Sequence, residues 1–306
     1  MKAIVLREYG GPDRLTEEEV PDPVPGPGEV LVEVAAAGVT FVETQVRADR
    51  GPRRVELPAV LGNGVAGRAL TGELAGRRVV TTLGGTGGYA ELAVAPAGQL
   101  IPVPEELSAE EAVALLADGR TAMGLFTAAA PRPGEWVLVE AAGGGVGSLL
   151  VQLAAAAGAR VIGAASGVGK RALAEELGAE LTVDYTDPGW TERVRAAVPD
   201  GLDVVFDGVG GEIGAAAQAL LRDGGRISAY GMAGGSMTVP DARVTAVAFP
   251  GTDLRELARL AMAEAAAGRL RPVIGRRLPL ARAAEAHAAM EARTVTGKTL
   301  LLPRTG

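Results

Sequence analysis

The chain has 306 residues, 30 Lys and Arg against 37 Asp and Glu, one His and no Cys, for a formal net charge of −7. That length allows about two domains, and 48% hydrophobic with 22% charged residues excludes a disordered chain. The missing Cys excludes a disulfide framework, a Cys-ligated zinc site, an iron–sulfur cluster and a thiol nucleophile. One His excludes a His-rich metal site and argues against a Ser-His-Asp triad, and the acidic balance argues against a general nucleic-acid binder. Any enzymatic chemistry is therefore expected to come from a cofactor.

The segment Met1 to Leu15 is charged within eight residues and has no long apolar core, so no secretory signal is expected and a cytoplasmic location is the default. Met1–Leu6 and Glu29–Ala36 read as strands, joined by the rigid, proline-rich connector Pro21–Gly28. Arg78–Thr82 and Tyr89–Val94 read as further strands, with no long periodic helix before Ser108. Short strands between Gly and Pro turns predict a barrel-like β domain. Ser108-Ala109-Glu110-Glu111 is a capping box opening a helix over Ala112–Ala117, and a second helix is expected over Thr121–Ala130.

After Gly134 the rhythm becomes strand and helix in alternation. Strands are expected at Trp136–Val139, Arg160–Ala164, Leu181–Asp184, Asp203–Asp207 and Gly225–Tyr230. Helices are expected at Val146–Ala157, Lys170–Leu177, Thr191–Ala197 and Ile213–Leu221. Five alternating strands imply a doubly wound parallel sheet, so the fold class is α/β. A helix at Thr252–Ala267 and a strand at Gly297–Leu302 follow. The uncharged stretch Ala141–Ala159 is mostly Ala and Gly with Gln152 inside, and reads as a buried turn and helix rather than a membrane span.

Ala141-Ala142-Gly143-Gly144-Gly145-Val146-Gly147 lies between the first of these strands and its helix, the context a dinucleotide fingerprint needs. Gly144 lets the backbone approach a pyrophosphate, Gly147 lets helix and strand pack closely, and the free amides of the helix N-terminus favour the anion. A tight turn with no ligand is the plainer alternative. NAD sites place an acid at the end of the second strand, but here that strand ends Ala164-Ala165-Ser166 with no acid, followed by Lys170 and Arg171. Only three Lys occur (Lys2, Lys170, Lys298), and one falls here. A hydroxyl and two cations would hold a 2′-phosphate, which favours NADP(H).

At this point the sequence resembles the medium-chain dehydrogenase/reductase superfamily, in its zinc-free, zeta-crystallin-like quinone oxidoreductase branch. The resemblance rests on Met1–Val5, Pro27–Val32, Gly38–Thr44, Leu61–Gly67, Gly88–Glu91, Ala141–Gly147, Asp184-Tyr185, Asp207–Gly210 and Gly297–Leu301, in the family's order along nearly the whole chain. It implies a GroES-like β-barrel catalytic domain (1–117 and 251–306) around a Rossmann NADP-binding domain (118–250), with the cofactor in the cleft between them and a homodimer, or else a homotetramer, as the assembly. It also implies that Gly144, Gly145, Val146 and Gly147 hold the pyrophosphate, and that Ser166, Lys170 and Tyr185 surround the 2′-phosphate. Val209, Gly231 and Met232 would line the nicotinamide, Thr121 would lie near its carboxamide, and Lys298 would be a further contact.

Zinc-dependent relatives use Cys and His ligands, but Thr40 and Gly62-Asn63-Gly64 stand in those slots and the four-Cys loop is absent, so no metal is expected. The branch usually has Asn where Thr40 stands and often Tyr where Gln45 stands, which puts the substrate in question. The segments Arg68–Gly72 and Gly234–Pro250 look short for the family. The expected reaction passes a hydride from NADPH to a quinone or an α,β-unsaturated carbonyl, with Thr40, Gln45 and Asn63 as candidates to hold the acceptor oxygen. Asn63, the only Asn, could equally be an ordinary turn residue, and Thr40 a strand end. Tyr89 reads as packing, and His287, in a helical stretch remote from every motif, as non-catalytic. An enoyl thioester reductase and a nucleotide-binding sensor with little catalysis are the competing functions. S-adenosylmethionine also suits a glycine turn but fits the two-domain pattern poorly. No nucleic-acid or membrane partner is expected.

Overall fold

Alternating burial along the first third of the chain, as in Glu29–Val39 with its inward Val30, Val32 and Val34, marks strands that bury one face. The computed structural model describes residues 1–52, 54–250 and 253–303. In chain order the elements begin β1 (Lys2–Leu6), β2 (Leu15–Glu19), β3 (Glu29–Val39), α1 (Phe41–Arg47), β4 (Ala59–Val60), β5 (Gly64–Ala69), β6 (Arg78–Thr82), β7 (Leu92–Pro96), β8 (Ile101–Pro102) and α2 (Ala109–Ala129). They continue with β9 (Trp136–Glu140), α3 (Gly145–Ala156), β10 (Arg160–Ala164), α4 (Val168–Glu176), β11 (Leu181–Val183), α5 (Trp190–Ala197), β12 (Leu202–Asp207), α6 (Gly211–Gln218) and β13 (Leu221–Ala229). The last are β14 (Thr245–Ala246), α7 (Leu254–Ala266), β15 (Ile274–Pro279), α8 (Ala283–Glu291) and β16 (Lys298–Leu302).

The chain divides into two compact units, Met1–Ala117 with Ala258–Gly306, and Asp118–Leu257. Both crossings fall inside helices, the second within α7 rather than at 250/251. The first unit holds a seven-stranded sheet ordered β15-β16-β3-β5-β6-β8, with β7 on β3, and a three-stranded sheet ordered β2-β1-β4. Ile4, Leu6, Val34, Val39, Leu61, Tyr89, Leu278 and Leu301 form its main core.

The second unit is built on a six-stranded sheet ordered β11-β10-β9-β12-β13-β14, parallel throughout. With β9 as strand one, this is the order 3-2-1-4-5-6 of a doubly wound dinucleotide fold, whose chain reversal lies beside the first strand. Leu138, Ile162, Val183, Val205 and Ile227 from five of the strands fill its core. The expected α/β class and parallel sheet are present, with a sixth strand, β14, too short to show a pattern.

Three local features differ from expectation. The two helices expected around Asp118-Gly119-Arg120 are one continuous α2, because Gly119 costs only about 1 kcal/mol in a helix whose neighbours are good formers. The strand expected at Tyr89–Val94 starts at Leu92; Tyr89 instead bonds Leu61 and Ile4, and Ala90 bridges Ala3. The start of the helix expected at Thr252 lies outside the described residues. The seven-residue α1 has no counterpart among the expected helices. Among the described residues no helix is long and apolar enough to cross a membrane.

Candidate cofactor and acceptor sites

In a parallel sheet the loops after the strands share one edge, and ligands bind there. Gly144 follows β9, Ser166 follows β10, Tyr185 follows β11, Val209 follows β12 and Gly231 follows β13. The sheet thus brings five of the expected cofactor residues to its carboxyl edge. Thr121, on α2, also belongs to this unit, as does the exposed Met232.

Gly144 is the N-cap of α3, and the helix begins at Gly145 and Val146. A Cβ on Gly147 would stand 2.2 Å from the carbonyl oxygen of Ala141, so only glycine lets the helix approach the turn this closely. A Cβ on Gly144 would meet that same oxygen at 3.1 Å, with the Ala141 methyl next at 4.0 Å, and the φ of −86° suits any residue. The fold thus constrains Gly144 much less than Gly147, since only one oxygen would have to give by a few tenths of an ångström. This cradle of amides at a helix N-terminus fits a pyrophosphate.

A Cβ on Gly143 would lie 2.6 Å from Cβ and 2.8 Å from Cγ of Lys170, so the Lys170 stem rests on the glycine turn. Arg171, read with it as a phosphate ligand, is instead drawn to Asp184 at 3.8 Å. Asp184 also accepts hydrogen bonds from the Gly167 amide (3.2 Å) and from the amide (3.0 Å) and hydroxyl (2.5 Å) of Thr186. The Thr186 hydroxyl, first among these, holds Asp184 below the usual carboxylate range. An acid does reach this corner, from the third strand rather than the second, and it neutralises Arg171. Lys170→Ala is accordingly expected to weaken NADPH about 10–100-fold and NADH less than about threefold, as for one charge-assisted contact to the 2′-phosphate. Fluorescence titration with both nucleotides checks this; equal losses would reduce Lys170 to packing on Gly143.

At the ends of β12 and β9, Asp207 and Glu140 are both buried. The Val209 amide donates to Glu140 Oε2 (3.0 Å) and to Asp207 Oδ1 (3.1 Å), and the Gly210 amide donates to Asp207 Oδ1 (2.6 Å). Burial first, and the neighbouring Asp207 second, push Glu140 up to about 10. At neutral pH Glu140 keeps its proton, and the backbone at Val209 is fixed by two carboxyl groups. Gly231 donates to the Asp207 carbonyl (3.2 Å), and Gly234 to that of Val209 (2.6 Å).

In the first unit, Thr40 caps α1 and Asn63 precedes β5, both half-buried. Their amides converge on one buried carboxylate: Thr40 donates to Glu43 Oε2 (2.7 Å) and Asn63 to Glu43 Oε1 (2.8 Å). Asn63 Oδ1 accepts from the Leu83 amide at 3.3 Å, which leaves its NH2 group as the end able to donate. Gln45 is on α1, and its Nε2 donates to Thr44 Oγ1 at 3.0 Å. Lys298 is buried in this unit, with its Cε against Gly38, and its charge acts on Glu43.

Sequence reasoning assigns Glu43 no role, yet Thr40-Phe41-Val42-Glu43 has the Thr-x-x-Glu pattern of a capping box. His287 is not remote from the motifs. Its Nε2 lies 3.1 Å from the Tyr89 hydroxyl, which donates to Glu43 Oε2 at 2.9 Å. Among the described residues, no group of three or more His, Asp or Glu is placed to hold a metal ion.

Residues 145–263 match a family described as zinc-binding dehydrogenase, and residues 26–105 one described as alcohol dehydrogenase GroES-like domain. The chain is 33% identical to a 2-haloacrylate reductase of Burkholderia sp, covering 99% of each chain. It is also 33% identical to the quinone oxidoreductase of Mus musculus, covering 99% of this chain and 98% of the relative. A solved structure of the quinone oxidoreductase of Thermus thermophilus, known also as a complex with NADPH, matches with a TM-score of 0.80 at 36% identity, over 99% of this chain and all of that one.

Proposed function

We infer, from the fact that this chain belongs to the quinone oxidoreductase branch of the medium-chain dehydrogenase/reductase superfamily, what its two sites do. The protein is an oxidoreductase that uses NADPH. Bound NADPH supplies a hydride, and we propose that a quinone or an alkene conjugated to a carbonyl receives it without zinc. The observation that carries the cofactor half is the Gly144–Gly147 cradle, with Lys170 resting on its edge.

In this reading Gly144, Gly145, Val146 and Gly147 hold the pyrophosphate, while Ser166, Lys170 and Tyr185 hold the 2′-phosphate end. Val209, Gly231 and Met232 face the nicotinamide, with Thr121 at its carboxamide. Lys298 is better assigned to balancing Glu43, because it is buried and its charge acts on that carboxylate. Thr40, Gln45 and Asn63 orient the acceptor and stabilise the oxygen that gains charge. A reduced quinone takes its protons from water, so this set needs no strong acid.

Zinc independence is supported by the donor set: the chain has no Cys, its single His is engaged with Tyr89, and Thr40 and Asn63 stand in the ligand slots. A homo-oligomer, with a homodimer as the first expectation, is supported by the family resemblance. The GroES-like catalytic domain is read onto the first unit and the NADP-binding domain onto the second.

An acceptor panel tests the substrate class. With NADPH, simple quinones and small enones are expected to give a kcat/KM at least about tenfold above a crotonyl thioester, since no basic rim for a thioester carrier is evident in the sequence. A thioester that outpaces both would make the protein an enoyl reductase. The 2-haloacrylate reductase among the relatives is named for an electron-poor alkene beside a carboxylate, which favours including such acids in the panel.

A further inference from the structure

Glu43 occupies an unusual place for a carboxylate. It is buried, it lies on the short helix α1, and both of its oxygens are used. Oε1 accepts the Asn63 amide at 2.8 Å, while Oε2 accepts the Thr40 amide at 2.7 Å and the Tyr89 hydroxyl at 2.9 Å. Thr40 follows β3 and Asn63 lies between β4 and β5, so one side chain ties together two loops, the second reached across 20 residues. We propose that Glu43 is a positioning residue for the acceptor: it fixes Thr40 and Asn63 in one geometry through their backbone amides. The proposal rests on the reading that Thr40 and Asn63 hold the acceptor oxygen.

Three donors converge on the two oxygens of Glu43, so the group is held in place as an acceptor. Burial leaves the Glu43 carboxyl raised above its ordinary value, while the two amides, the Lys298 ammonium and the Tyr89 hydroxyl oppose that rise. Burial also pushes the Tyr89 hydroxyl well up, so it remains a donor. Burial, helped by the Arg47 charge, pulls His287 down to about 3, so the ring is neutral. With the Tyr89 proton committed to Glu43, His287 must donate from Nε2 to the Tyr89 oxygen, which leaves Nδ1 as the buried atom with no partner. The chain His287 → Tyr89 → Glu43 thus runs in one direction and ends on the carboxylate that holds both loops.

Arg47, at the other end of α1, is buried and paired with Glu291 of α8, the helix that carries His287. The short helix is therefore anchored at that end as well. The rigid element is α1 with α8 behind it, and the loops of Thr40 and Asn63 are what it presents.

The decisive variant is Glu43→Gln. A carboxamide has one acceptor oxygen, and its NH2 group would confront an amide N–H, so one of the two loops must let go. The expected result is a fall of about 10–100-fold in kcat/KM for a quinone, with the NADPH dissociation constant within about twofold of wild type. Glu43→Asp, which keeps the charge but reaches less far, covers the case in which Glu43→Gln does not fold. It is expected to raise the quinone KM about five- to tenfold with unchanged NADPH affinity. A folded variant with an unchanged quinone kcat/KM would overturn the proposal, as would parallel losses in quinone turnover and NADPH affinity, which would mark Glu43 as merely structural. If the wild type reduces no quinone or enone at all, the functional reading fails instead, and that outcome is read before any variant is made.

Discussion

Alanine at Gly144 is expected to weaken NADPH about 10–100-fold while leaving the unfolding midpoint nearly unchanged, whereas alanine at Gly147 is expected to cost about 1–3 kcal/mol of stability. The two glycines lie in one turn but answer to different constraints. At Gly147 a Cβ would sit 2.2 Å from the Ala141 carbonyl oxygen and 2.8 Å from its carbon, both backbone atoms that cannot step aside without parting α3 from β9. At Gly144 the nearest neighbour is that oxygen at 3.1 Å, and the backbone is extended. A methyl there needs that one oxygen to give by a few tenths of an ångström, a far smaller demand than at Gly147, and otherwise intrudes on whatever approaches the helix N-terminus. Gly169→Ala, where a Cβ would meet nothing within 4 Å, is the control and should leave both properties alone or stabilise slightly. Nucleotide titration and denaturant unfolding check all three. Wild-type NADPH affinity in Gly144→Ala would remove the pyrophosphate from this turn.

The second large effect concerns Glu140. Its folded pKa is raised to about 10, above the ordinary 4.5 of a glutamate, so its protonated form is what the fold stabilises. The sign follows directly. The favourable contribution is complete below about pH 4.5 and is lost as pH rises from there through about 10, at a slope on the order of 1 kcal/mol per pH unit. Glu140→Gln replaces a proton-dependent neutral group with a permanently neutral one of the same shape. The variant is expected to lose that slope and to exceed the wild type in stability under alkaline conditions. Both tryptophans, Trp136 and Trp190, lie in the second unit, so intrinsic fluorescence reports its unfolding. Identical pH slopes in the two proteins would contradict the assignment of a buried, protonated Glu140.

The two units are legible in the sequence to different depths. The parallel sheet announces itself because its strands are short apolar runs and its connections stop at glycines, as at Gly158 and Gly178. The glycine turn is readable for the same reason: strand, turn and helix are contiguous in the chain. Contacts that join distant segments are not. Tyr89 and His287 are 198 residues apart, and nothing local in the surrounding Ala-rich helix shows that His287 faces a tyrosine. The ion pair of Arg171 with Asp184 requires knowing that β11 lies beside β10. Helix α1 is too short for periodicity, and its buried face carries Glu43 and Arg47, the opposite of the apolar stripe that marks a helix. Only its Thr-x-x-Glu start is available as a signal.

That difference explains why the proposed cofactor residues can be named along one contiguous unit while the proposed acceptor residues come out as three isolated polar side chains. Thr40 and Asn63 are proposed from the slots they fill. What joins them, the Glu43 carboxylate, becomes visible only when β3, β4 and α1 are folded together. Gln45, the third residue, is tied to its neighbour Thr44 and not to that carboxylate.

The most direct test of the whole account is an anaerobic turnover of the purified protein with NADPH and a simple benzoquinone, without added metal, followed by cofactor absorbance and by product analysis. The account predicts one hydroquinone formed for each NADPH consumed, at rates that survive treatment with a zinc chelator. Tight NADPH binding with no consumption against any quinone or enone, or activity that the chelator abolishes, would contradict it.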